Sequence, residues 1–400
     1  SYGVMQELAR TRLVGGDRML DHVVSISAVS GGSFPAAYYC LYGDRLFQDF
    51  EAAFLKRDVQ DALMRRAGSP ANLLRLASGR FARSDLAAEY YDRILFHGAT
   101  FGDLLRSPEP RPFLLINATD MDSFSHFPFT QESFDLIGSD LATFPLARAV
   151  AASSAVPLVL TPITLKNYGG RIPPEVTAAP SGIPNARRQE IIAQLARRYL
   201  DAGQRPYIHL LDGGLADNLG LSDLLVAMTL AGGWDALLRS EHPGEVSQVA
   251  IIVVNAATQP DSEWRHDPRA PGLRSVVSAL SRSEIARTNN TLIELVRESL
   301  SEWQSHAGPG QPQVHLIAIG FDQLPDPVER AYFNQIHTTF HLPADTVDRL
   351  IDVGGRLLRE SLEYQAMLAR LPHPPRDTAP AAAPALCPVP EATRQTTPGR

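Results

Sequence analysis

Four hundred residues, 44% hydrophobic and 20% charged, can bury a sizeable core and have the composition of a folded globular chain. A net charge of −7 leaves no basic footprint for nucleic acid, and two cysteines, Cys40 and Cys387, are too few for a disulfide scaffold. No run reaches the roughly 18 consecutive apolar residues that a membrane-spanning helix needs; the longest candidate, Ala147–Ile163, is broken by Ser153, Ser154, Pro157 and Pro162.

The chain opens with a helical pattern at Ser1–Leu8. An apolar run, His22–Val29, then ends at Ser30, which is followed by Gly31 and Gly32 and by a helix-compatible segment, Ala36–Leu41. A strand that turns sharply into a helix through a serine is the layout of a nucleophile elbow. The bend forces unfavourable angles on the serine, so small neighbours, Ala28, Gly31 and Gly32, are expected. Ser-Gly-Gly also occurs in ordinary loops, and that reading stands beside it. A helix is predicted over Ser84–Phe96 and a strand over Phe113–Asn117. The acidic stretch Asn117–Asp122 reads as a capped turn rather than a metal loop, because its spacing matches no calcium site. A helix follows at Pro145–Ser154.

Residues 166–205 read as an insertion. It opens on Gly169-Gly170 and several prolines, then becomes helical near Ala186–Ala202. Ile191, Ile192, Leu195, Tyr199 and Leu200 lie on one side, flanked by Arg187, Arg188, Arg197 and Arg198. Two readings stand: an amphipathic surface helix packed on the core, or a lid over a site that also touches a lipid surface. The next strand, Ile208–Leu211, ends in Asp212-Gly213-Gly214. Asp-Gly is a turn signal, but an aspartate at a strand's C-terminal end also lies on the edge where open α/β sheets build sites. Asp217-Asn218 can cap a helix over Leu219–Ala231. Strands at Val249–Asn255 and Val314–Ile319 alternate with helices at Ser283–Trp303 and Ala344–Ala369. Short strands apolar on both faces, separated by helices, predict an α/β layered fold with a mostly parallel central sheet. Residues 372–400, rich in proline and alanine, read as a disordered tail. Of 37 basic residues only Lys56 and Lys166 are lysines, a bias that fits a GC-rich bacterial genome better than phosphate recognition.

Together these motifs resemble the patatin-like phospholipase family. Its members use a serine in G-x-S-x-G and an aspartate in D-G-G or D-G-A, and Ser30 and Asp212 are the matching positions. Ala28 stands where the usual signature has glycine. Ala147–Pro157 is similar to the family's A-x-R-A-S-x-A-x-P stretch, with two residues between Arg148 and Ala151. The order and rough spacing agree over most of residues 1 to about 365. The resemblance implies a three-layer α/β/α domain over 1–371 and a lipid acyl hydrolase of phospholipase A type. It also implies a Ser30–Asp212 dyad working through an acyl-enzyme, without cofactor or metal. Gly31, Gly32, Gly213, Gly214 and Arg148 are expected to shape the site, Arg148 by bracing it or by holding a lipid phosphate. The partners implied are a phospholipid or other lipid ester and a transient membrane surface.

The family's glycine-rich loop, of G-G-G-x-[RK]-G type, is not found among these residues; Ser1–Leu8 looks like the helix that follows it. A first residue other than methionine reads as a fragment or processed product, and the activity of residues 1–400 is expected to suffer if only the Gly31 N–H serves an oxyanion. Losing one such donor typically costs about 10²–10³ in turnover. A Ser-His-Asp triad is the mechanistic rival, yet none of the histidines after Asp212 stands in a glycine-flanked loop. Acyl transfer to an acceptor other than water, and a catalytically silent lipid-binding or scaffold module, are the alternative functions. No signal peptide is visible, and secreted, periplasmic, membrane-associated and cytosolic placements stay open.

Overall fold

A computed structural model of the chain describes all residues except 80, 158, 173–185, 242–245, 259–267, 307, 309–310 and 372–400. The expected tail, and the proline-rich part of the 166–205 insertion, therefore lie outside the described residues.

Seven strands are described: β1 Ser25–Val29, β2 Phe113–Asp120, β3 Ser125–Pro128, β4 Ile163–Lys166, β5 Tyr207–Asp212, β6 Gln248–Asn255 and β7 Gln313–Gly320. β1, β2, β5 and β4 lie side by side in that order, with β3 on β2, while β6 and β7 form a second sheet. Parallel pairing holds for β1–β2 and β6–β7; β2–β3, β2–β5 and β5–β4 are antiparallel, so the sheet is mixed. Helices alternate with these strands. Those used below are α1 Tyr2–Arg10, α2 Ser33–Tyr42, α3 Val59–Ala67, α4 Pro70–Ala77, α5 Arg83–Tyr91, α6 Leu146–Ser153, α7 Ala186–Tyr199, α8 Gly214–Asp217, α9 Ser222–Ala231, α10 Leu273–Ser305, α11 Ala344–Glu360 and α12 Leu362–Arg370. The α/β layered architecture is the one expected.

Several expected elements differ in detail. β1 begins at Ser25 rather than His22, because Met19–His22 closes a short 3₁₀ turn. The helix expected over Ala344–Ala369 is broken at Ser361, whose hydroxyl accepts from the Tyr364 N–H and so starts α12 as a new helix. β3 and β4 have no counterpart in the apolar pattern; each is only four residues long. Burial on both faces holds for β2 but not for β1 or β6, which are largely half-exposed. Among the described residues each has one strand neighbour, and a large cavity lies against them.

The main core gathers Phe34, Phe50, Tyr91, Phe96, Phe127 and Phe129 under the first sheet, and α1 packs across α11. Gly3 makes that crossing possible, since a Cβ there would lie 2.0 Å from the Ile351 carbonyl oxygen. A smaller core of Leu221, Trp234, Val253, Val296 and Val314 joins β6 and β7 to α9 and α10.

Candidate active site

β1 ends at Val29, and the next residue, Ser30, has φ +51°. That left-handed conformation is strained for any residue with a side chain and is held only where surrounding structure over-determines it. One determinant is Ser153, fully buried at the end of α6, whose Oγ accepts the Ser30 N–H at 2.9 Å. The other is the short turn Ser30–Gly32, which runs into α2 and anchors its carbonyl on the Ser33 hydroxyl. The serine side chain is thereby turned away from the strand and toward the end of β5.

Asp212 closes β5, antiparallel to β2 and opposite Ala118. Its Oδ2 accepts the Ser30 Oγ–H at 2.6 Å, across a sequence separation of 182 residues. Its Oδ1 accepts the Gly214 N–H at 2.8 Å. Burial raises the Asp212 carboxyl from 3.8 to about 6; the hydrogen bonds from Ser30 and Gly214 oppose that shift and only moderate it. A carboxylate whose proton affinity sits that close to neutrality is a better base than an ordinary aspartate.

The aspartate's backbone is pinned from two sides. The Asp212 N–H donates to the Ala155 carbonyl and the Gly213 N–H to the Ser153 carbonyl, each at 3.0 Å. From β2, Thr119 Oγ1 donates to the Asp212 carbonyl at 2.7 Å and accepts the Ala216 N–H at 3.1 Å. Ser153 thus touches both halves of the pair. Behind them, Asp217 accepts the Leu219, Gly220 and Ser222 N–H groups and starts α9. The expected capping role therefore falls on Asp217, with the helix beginning at Ser222 rather than Leu219. Gly220, at φ +66°, presents its carbonyl to the Ser27 hydroxyl, which also accepts from Asn117 Nδ2.

The four glycines are not equivalent. A Cβ on Gly213 would fall 2.3 Å from the Asn117 carbonyl oxygen, and one on Gly214 would crowd Asn218 and Asp212. A Cβ on Gly32 would meet only the Ser1 hydroxyl, at 3.2 Å, and one on Gly31 would meet nothing within 4 Å. The requirement for a small residue at Gly31 is therefore not steric: this residue faces the open cavity. Arg148 lies away from the dyad. Its guanidinium pairs with Asp85 of α5 at 2.6 Å and donates to the Thr164 carbonyl of β4 at 3.3 Å, tying α6 to both. Contacts of that kind are the ones a bracing role would use.

Residues 1–225, a span that holds both the Ser30 and the Asp212 motif, match the family model of the patatin-like phospholipases. The chain belongs to the patatin-like phospholipase family. No curated protein matches it in sequence. The family is one of hydrolases acting on lipids, and the matched span of the patatin-like domain includes β1 to β5, both dyad candidates and Arg148. β6, β7 and helices α10 to α12 lie beyond the match.

A cavity of about 3720 Å³ reaches the Ser30 side of the patatin-like domain. Val156, Leu160 and Leu195 are among its apolar lining residues, and Ile191 and Tyr199 of α7 contribute as well. Helix α7 is thus a wall of this cavity. Its end is moored where the Tyr199 hydroxyl donates to Asp120 at 3.0 Å and Arg205 pairs with the same carboxylate. Asp120 also accepts from Ser123 and from the Asp122 N–H, so the acidic turn after β2 is capped by protein donors. His209, exposed on β5, hydrogen-bonds Thr164 and faces away from the buried Asp212, as expected from a spacing of three along a strand. His126, in a stretch with no sequence motif, lies beside the cavity and pairs with Asp223 at 3.0 Å. Among the described residues no group of three or more His, Cys, Asp or Glu side chains is arranged to hold a metal ion, and no helix is long and apolar enough to cross a membrane.

Ser153 and Thr119 were not singled out from the sequence. Ser153 lies inside the Ala147–Pro157 stretch that carried the resemblance, so its signal was present; Thr119 carries none, since a threonine in a strand is ordinary. Ser153→Ala would leave the Ser30 N–H without its acceptor and loosen the elbow. An unpaired buried donor costs about 1–3 kcal/mol, so kcat on a soluble ester is expected to fall about 10- to 100-fold. KM should stay near its original value. An unchanged kcat in steady-state assays would show that the elbow holds without this bond.

Proposed function

We propose that this chain cleaves the carboxylic ester of a lipid, with Ser30 as nucleophile and Asp212 as the base that activates it. The observation that carries the reading is the 2.6 Å hydrogen bond from Ser30 Oγ to Asp212 Oδ2, made at a strained elbow and to a carboxylate held in a buried site. As Oγ attacks the carbonyl carbon, its proton passes to Asp212. The tetrahedral oxyanion is met by the Gly31 N–H and by the N-terminal end of α2, where N–H groups lack intrahelical acceptors and the helix dipole is positive. Collapse expels the alcohol, which takes the proton from Asp212 and leaves an acyl group on Ser30. Water then attacks that acyl group, gives a proton to Asp212, and releases the fatty acid while Ser30 recovers its hydrogen.

The substrate class rests on family membership and on the cavity's apolar lining, which suits acyl chains. Phospholipase A-type specificity belongs to the proposal. So does a lid role for α7, which lines the cavity and is fastened at Tyr199 and Arg205.

The test is labelling of the folded protein with a fluorophosphonate probe followed by peptide mapping. We expect phosphonylation at Ser30, lost in Ser30→Ala and strongly reduced in Asp212→Asn, together with fatty-acid release from a phospholipid. A folded protein that takes no label at Ser30 would overturn the dyad.

A further inference from the structure

The surface of the α3–α4 hairpin departs from what a water-facing surface should be. In α4, Pro70, Leu73, Leu74 and Ala77 follow the i, i+3, i+4, i+7 spacing that places residues on one face of a helix. Such an apolar stripe normally turns inward. Here all four residues are exposed, and no residue of α4 is buried. Leu73 is 54% and Leu74 77% exposed, and Met64, on α3, is 59% exposed. Scattered exposed leucines need no explanation, but a complete helical stripe facing solvent is the mark of an interaction surface.

Two further observations say what covers it. The first is charge. From Lys56 to Arg83 the sequence holds seven basic and two acidic residues, in a chain whose net charge is −7. Lys56 pairs with Glu51 and Asp348, Arg65 with Asp61 and Arg75 with Glu89, and the remaining charges of the segment are still mostly basic. An apolar helical stripe set in a locally basic segment of an acidic protein complements an anionic bilayer, into which leucines insert while arginines stay at the headgroups. The second is continuity with the reaction cavity. Leu63, Met64 and Ala67 of α3 line the same cavity as Ser30, as does Val159, which is 44% exposed. The helix that leads into the apolar stripe therefore lines the cavity that Ser30 also lines.

We propose that the α3–α4 hairpin is the surface by which this protein docks on an anionic lipid bilayer, with Leu73 and Leu74 inserted and the cavity mouth turned toward the membrane. The proposal deepens, and rests on, the lipid-hydrolase reading of the Ser30 cavity; docking itself requires no turnover and is measured separately.

The experiment uses the full chain carrying Ser30→Ala, so that vesicles stay intact. It compares sedimentation with vesicles of phosphatidylcholine alone and of phosphatidylcholine mixed with phosphatidylglycerol. We expect binding to the mixed vesicles that weakens as salt is raised. Leu73→Asp/Leu74→Asp, at positions the fold leaves exposed, should reduce partitioning at least about tenfold. The same double substitution in a chain with Ser30 intact should leave cleavage of a soluble short-chain ester unchanged and lower cleavage of vesicle lipid. Equal partitioning of the double variant, or equal binding to both vesicle types at all salt concentrations, overturns the docking surface. So does a shift from dimer to monomer in the double variant without any loss of vesicle binding, because the stripe would then cover a second copy. Failure to cleave the soluble ester with Ser30 intact would defeat the hydrolase reading while the sedimentation result still decided docking.

Discussion

Asp212→Asn is expected to abolish ester hydrolysis, by about 10³-fold or more, while making the folded protein more stable at pH 8. The loss of activity follows from the proton: an amide cannot take it from Ser30, and units of nucleophile and base act together rather than additively. The gain in stability follows from linkage. Burial lifts the Asp212 carboxyl from 3.8 to about 6, so between those values the folded protein binds a proton that the unfolded chain does not. Stability therefore falls as pH rises through that window and is lowest, on this account, above pH 6. The separation corresponds to roughly 3 kcal/mol, fully forfeited when the carboxylate is ionised in the fold. Asn carries no charge and escapes that cost. Thermal melts of the two proteins should separate at pH 8 and converge below pH 4; a constant difference across that range would remove Asp212 as the source. In the unsubstituted protein, kcat/KM should climb with pH through about 6 and then level, as the base ionises.

Gly213→Ala should be among the most damaging substitutions of a single methyl group in this chain. Its Cβ would sit 2.3 Å from the Asn117 carbonyl oxygen and 3.0 Å from Val29 Cγ1. The first obstacle is backbone within β2, so it cannot swing aside as a side chain would. Relief requires β5 to move from β2 at the Ala118–Asp212 pairing, and that displaces the carboxylate from Ser30. Overpacking of this kind costs about 1–3 kcal/mol and sometimes more, and a displacement near 1 Å at reacting groups costs about 10² in rate. We expect a lower melting temperature and at least that loss of kcat. Gly31→Ala is the matched control: its Cβ meets nothing within 4 Å and its φ lies outside the left-handed region, so its melting temperature should not fall. Equal melting temperatures for the two variants would show that β5 yields more readily than its contacts indicate.

That contrast also marks the limit of the linear pattern. In sequence, Gly31 and Gly213 are each the first glycine after a candidate catalytic residue, and nothing nearby separates them. Only the approach of β2 to the end of β5 makes one indispensable and leaves the other facing open space. Arg148 illustrates the same point, since no local pattern says which segments meet it and only the fold brings Asp85 and Thr164 to its guanidinium.

Five of the seven described strands were legible because hydrophobic period and turn residues are local properties, each written within about ten residues. The four-residue β3 and β4 are too short to show a period, and the α3–α4 hairpin was not read either. Ser30 and Asp212 stood out as candidates for the same reason: a strand ending in a small-residue bend is a local signature. What the tertiary structure alone decided is everything carried by distant neighbours. It brought two motifs 182 residues apart to 2.6 Å. It gave Ser153 and Thr119 their hold on the pair and set β1 and β6 against a cavity instead of burying them. It also turned the apolar stripe of α4 outward. Periodicity says which residues share a face; what that face meets depends on contacts between remote segments, which no local pattern encodes.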